Sequence, residues 1–107
     1  MTRRVMLCEI AHARAGDKGD RSNVAVYVYE QRHYGALQAQ LTPARLKAEF
    51  PKLLQGRVQR FELVQLGALN FVMDQALEGG VNESLNLDSH GKSWSFLFLG
   101  LEVEIDD

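Results

Sequence analysis

Residues 11–23 read Ala11-His12-Ala13-Arg14-Ala15-Gly16-Asp17-Lys18-Gly19-Asp20-Arg21-Ser22-Asn23, and the fold turns on how this stretch is read. It lies between two apolar runs, Val5 to Ile10 and Val24 to Tyr29. It is too polar for a core. Around Gly16 and Gly19 it gathers an imidazole, carboxylates, cations, a hydroxyl and an amide. Glycine lets a backbone take positive φ or approach a ligand closely. The stretch therefore reads as a polar loop that offers N–H groups and cations to an anion, or carboxylates to a cation.

The flanking runs read as strands. Val5 to Ile10 is apolar except for the interior Glu9. In Val24 to Tyr29, Val24, Val26 and Val28 take one face and Ala25, Tyr27 and Tyr29 the other. Two largely apolar faces suit a central strand, or one covered on both sides. Further out, Gln31 to Gln40 is weakly helical, with Tyr34, Leu37 and Leu41 at helical spacing. Thr42 then fits an N-cap and Pro43 the first helical position, with Leu41 and Leu46 placed for a hydrophobic staple. Pro51 ends or kinks this helix. Arg57 to Val64 reads as a third strand. Leu69, Val72, Met73, Ala76 and Leu77 follow the period of a second helix, from about Gly67 to Glu78, which Gly79-Gly80 ends.

Ser84 to Leu87 reads as a short strand, Asp88 to Lys92 as a turn and Trp94 to Ile105 as a long last strand, making a closing hairpin. On that strand Leu97, Leu99, Leu101, Val103 and Ile105 form the core face, and Trp94, Phe96 and Phe98 the opposite one. Uncovered aromatics want a cover: another element of this chain, Gln31 to Gln40 folding back as a third helix, or, in preference, a second copy in a homo-oligomer, most simply a dimer. The expected architecture is α+β, a single domain over 1–107: a sandwich of a mixed or antiparallel sheet with two main helices on one face.

The chain has 107 residues and a formal net charge of -2, with basic residues dispersed, so no nucleic-acid partner is expected. Cys8 is the only cysteine, which excludes an internal disulfide and a thiolate zinc cluster. In its apolar run it reads as a small core residue. No signal-like segment opens the chain and no apolar run approaches the ~20 residues of a membrane span, so the cytoplasm is the expected compartment.

His12 and Arg14 share a strand face if the first strand runs on that far. They then read as a general acid or base beside an anion clamp, or simply as exposed surface residues. Asp17 and Asp20, with Asn23, read as turn acceptors in preference to a cation site, since Lys18 stands between them. Lys18 and the amides near Gly16 and Gly19 suit a phosphate or carboxylate, although the nucleotide P-loop pattern is absent. Asn70 interrupts small and apolar residues and ranks second to the loop. No serine-hydrolase elbow or zinc-protease helix motif occurs.

These pieces resemble a known family. His12-Ala13-Arg14-Ala15-Gly16-Asp17-Lys18-Gly19-Asp20 with Ser22-Asn23 looks like the signature loop of the C-terminal domain of acyclic terpene utilisation proteins. Leu41-Thr42 with Arg45, Phe61-Glu62-Leu63, Gly67-Ala68-Leu69-Asn70-Phe71 and Gly79-Gly80-Val81 with Ser84-Leu85 resemble it in the same order. The resemblance implies a ferredoxin-like fold and a link to catabolism of acyclic terpenoids or related acyl-CoA compounds. That domain usually follows a larger one, so a larger partner subunit of the same type is expected.

The leading expectation is an accessory or ligand-binding domain, with Arg14, Gly16, Lys18, Gly19, Asp20, Ser22, Asn23 and Asn70 holding an anionic or acyl-CoA ligand. No cofactor or metal is implied. The alternative is a small enzyme doing proton transfer or hydration on an acyl thioester, with His12 or Asp17 as base. A third reading is a structural oligomer locked by the loop.

Overall fold

In the computed structural model, residues 2–18, 21–74 and 90–106 are described, and they form two antiparallel sheets. Strands β1 (Thr2–Met6) and β6 (Glu102–Asp106) make a two-stranded sheet, in register from Thr2 against Asp106 to Met6 against Glu102. Strands β2 (Ala11–Lys18), β3 (Arg21–Val28), β4 (Val58–Leu63) and β5 (Ala68–Asp74) make a four-stranded sheet in the order β2-β3-β5-β4. The helices are α1 (Tyr34–Gln40), α2 (Pro43–Glu49) and α3 (His90–Leu99). The α+β class holds, with three helices among the described residues where two were expected.

The stretch that opens the argument is a hairpin. Ala11 to Lys18 pairs with Arg21 to Val28, from Ala11 against Val28 to Lys18 against Arg21. Its polar density suggested a loop, but alanines alternate with His12 and Arg14, which is strand periodicity. Ala11 is buried and Ala13 and Ala15 pack against the core, under α3, where small side chains permit close approach. The first strand is shorter than expected, because the chain turns through a 3-10 helix at Leu7–Glu9. Cys8 sits on that turn and is exposed, not a core residue.

The expected second helix from Gly67 is strand β5 instead. Leu69, Phe71 and Met73 are all fully buried, which is a period of two. Gly67, at φ 61, turns the chain from a 3-10 helix at Val64–Leu66 into this strand. A side chain there would collide with Val28 Cγ2 at 2.9 Å and Gln31 Oε1 at 2.8 Å. The expected last strand from Trp94 divides into α3 and β6. Trp94 and Phe98, one helical turn apart, are buried at 1% and 0% exposure, whereas Phe96 is 80% exposed. The three aromatics therefore share no face, and the strand surface on which a dimer was expected does not exist. The expected strand Ser84 to Leu87 lies outside the described residues.

Other expectations hold. β3 is a central strand. Thr42 Oγ1 accepts the Arg45 N–H at 3.1 Å, and Leu41 and Leu46 are both fully buried. Phe71 and Phe98 lie 5.5 Å apart, with Phe50 5.7 Å from Trp94, so α3 and the turn after α2 close over the sheet. Each such ring buried contributes about 1.5–3 kcal/mol. Gln40 binds the Glu104 backbone twice, donating to its carbonyl at 2.6 Å and accepting its N–H at 2.8 Å, and so covers the outer edge of β6. No helix of the described residues is long and apolar enough to cross a membrane.

Candidate functional site

One face of the four-stranded sheet is packed and the other is open. The register arranges the open face in cross-strand rows. Arg14, Ala25, Asn70 and Phe61 form one row, from β2 across β3 and β5 to β4. His12, Tyr27, Ala68 and Leu63 form the next, and Gly16, Asn23, Val72 and Gln59 the one on the other side. Arg21 and Asp74 pair beyond them in an ion pair of 2.8 Å.

Ala25 is the floor of this face. At one end the His12 ring stacks on Tyr27, with centroids 5.1 Å apart, and on Tyr29 at 5.5 Å. At the other end Asn23 Nδ2 donates to Asn70 Oδ1 at 3.2 Å. Gly16 makes room for that bond, since a Cβ there would stand 3.2 Å from Asn23 Oδ1. The amide pair keeps an acceptor, Asn23 Oδ1, and a donor, Asn70 Nδ2, for other groups. Arg14 stands exposed on one side, with no hydrogen-bond or ion-pair partner among the described residues. Phe61, 47% exposed, stands on the other. A guanidinium, an amide pair and apolar rings around a small floor suit a ligand with one anionic group and an apolar body.

The expected site residues divide. His12, Arg14, Gly16, Asn23 and Asn70 come together on the open face, although Asn70 belongs to a strand and not to a helix. Ser22 is 1% exposed and faces the core. Asp17 takes the register position opposite Ser22, and Lys18 that opposite Arg21. Gly19 and Asp20 lie outside the described residues. Asn23 bonds across the sheet, not to a local turn N–H. Tyr27, Tyr29, Ala25 and Phe61 escaped the reading of the sequence. The signal of the first three was present in the alternation of Val24 to Tyr29, but pairing with His12 is needed to make use of it. Among the described residues no cluster of three or more His, Cys, Asp or Glu side chains is placed to hold a metal ion.

Away from this face, His33 is buried beside α1 with neither ring nitrogen bonded. Burial pushes the Tyr34 hydroxyl pKa up. The hydrogen-bonded Arg32 guanidinium holds the Glu30 carboxyl below its ordinary value.

Comparison with known proteins agrees with this architecture. No curated protein and no solved structure matches the chain. The family model described as the AtuA ferredoxin-like domain matches residues 5–104, nearly the whole chain and every strand that builds the open face. On that match the chain belongs to the AtuA ferredoxin-like domain family.

Proposed function

We propose that this domain binds an anionic acyl ligand, an acyl-CoA thioester or the related carboxylate, on the open face of the four-stranded sheet. The observation that carries the reading is the exposed Arg14, without a partner among the described residues, in one row with Ala25, Asn70 and Phe61. Arg14 takes the carboxylate or phosphate, Asn70 and Asn23 a carbonyl or amide, and Tyr27, His12 and Phe61 the apolar body. His12 is stacked and has no hydrogen-bond partner among the described residues, which supports a contact role for its ring over that of an oriented base. The domain acts as a cytoplasmic accessory module in acyl-CoA or terpenoid catabolism, beside a larger subunit of the terpene utilisation type. That last link rests on the family resemblance.

Thermal shift tests the binding. Sulfate raises the melting temperature of the wild type above that in chloride of equal ionic strength, and acetyl-CoA raises it further. Arg14→Ala abolishes the specific part of both gains. Equal gains in the two proteins mean salting-out alone and overturn the proposal.

A further inference from the structure

Three rings gather at one end of the open face, beyond the Arg14 row. His12 and Tyr27 are cross-strand partners, and Tyr29 follows just past the end of β3. The His12 ring lies nearly parallel to both tyrosines, at 11° to Tyr27 and 25° to Tyr29. The stack is open to solvent: His12 is exposed, and Tyr29 is 63% exposed. The Tyr29 backbone N–H donates to the Ile10 carbonyl at 2.9 Å, a bond that does not depend on its side chain.

The shape of this surface selects its occupant. An aliphatic chain gains most from a concave apolar pocket that wraps it. Flat, exposed rings offer a planar face, on which another planar aromatic group stacks. A nucleobase is such a group, and it stacks on an exposed tyrosine whatever its hydrogen-bonding pattern. Arg14 stands two residues along β2 from His12, about 7 Å away on the same face. Its exposed guanidinium is within reach of a phosphate that a ribose separates from a base on the rings. The carboxylate next to Tyr29, that of Glu30, is paired with Arg32 at 2.7 Å, which reduces its repulsion of an anion.

We infer that Tyr29, with His12 and Tyr27, is a stacking platform for the purine of an adenine nucleotide whose phosphate Arg14 holds. The inference rests on the anion-binding reading above, and it names the planar group that the ligand brings to the ring end. Coenzyme A and a free adenine nucleotide share this chemistry.

NMR titration with AMP, base-free ribose phosphate, coenzyme A and octanoate tests it. AMP binds about tenfold more tightly than ribose phosphate, because stacking adds to the same phosphate contact. The purine proton resonances of AMP move upfield as the base enters the ring currents. Tyr29→Ala brings AMP down to the affinity of ribose phosphate and leaves the latter unchanged. Tyr29→Phe, which keeps the flat face, keeps the tenfold advantage. Arg14→Ala weakens both phosphates alike. Coenzyme A binding more tightly than AMP marks the thioester carrier as the source, and the reverse order marks a free nucleotide. Either order supports the platform when Tyr29→Ala weakens both. Equal affinity of AMP and ribose phosphate, or an AMP advantage that survives Tyr29→Ala, overturns the inference, while an Arg14-dependent sulfate gain still upholds the anion site. Octanoate binding that depends on Tyr29 when AMP binding does not also overturns it, since the acyl chain then occupies the rings. Sulfate and ribose phosphate that both bind without regard to Arg14 overturn the anion reading and this inference with it.

Discussion

The two faces of the four-stranded sheet come from the same strands and differ in almost everything else. On β5, Leu69, Phe71 and Met73 are fully buried under α3 and the α2 turn, while Asn70, Val72 and Asp74, alternating with them, are half-buried on the open side. On β3, Val24 and Val26 are core, and Ala25 and Tyr27 meet Arg14 and His12. One residue of register separates a position that holds the fold together from one free to meet a ligand. Packing and exposure are thus distributed by phase along a strand, not by region of sequence.

The largest break in that comparison comes from the packed face. Phe71→Ala removes a fully buried ring that lies against Phe98, and costs about 3–5 kcal/mol in urea unfolding. Loss of less than a third of that would mean that the face is not packed as described.

Gly67→Ala strikes at the turn that sets the phase of β5. A non-glycine residue at φ 61 costs about 1–3 kcal/mol, and its Cβ must displace Val28 and Gln31. The same unfolding series measures it, and an unchanged midpoint would refute a left-handed requirement there.

Arg14→Ala sharpens the contrast from the open side. With no partner to lose among the described residues, it changes unfolding free energy by no more than about 0.5 kcal/mol, yet removes the sulfate-specific thermal gain. A large loss of stability would place Arg14 in the fold and not in the site.

The smallest effect is one of pH. Glu30 is exposed, and Arg32 lowers its pKa in the folded chain below the 4.5 of an unperturbed carboxyl. A lowered folded pKa gives stability that is present above the unfolded value and lost as pH falls through the folded one. Melting curves of wild type and Glu30→Gln therefore converge below about pH 4.5 and differ slightly above it, because exposed pairs contribute little. Divergence at acid pH would reverse the sign.

Much of the architecture can be read locally. The Thr42-Pro43 helix start, its Leu41–Leu46 staple, the central strand at Val24 to Tyr29 and the family motifs all depend on neighbours in sequence, so local chemistry suffices. Elsewhere two periods compete. Residues 69–77 fit a helix by spacing and a strand by alternation, and residues 94–99 fit both as well. What decides is pairing at long range: β5 satisfies its backbone between β3 and β4, and Trp94 and Phe98 need one helical turn to reach Phe50 and Phe71 together.

The candidate site divides along the same line. The sequence by itself determined the residue types gathered at 11–23 and the family that these motifs mark, and it singled out Asn70 as a candidate. Only the tertiary structure decided that His12, Arg14, Gly16, Asn23 and Asn70 share one face with Tyr27 and Phe61, while Ser22 turns inward. The physical reason is that side-chain direction on a strand is a local alternation. The opposite neighbour is set by ladder register, which joins residues as distant as Asn23 and Asn70 and leaves no local trace in the chain.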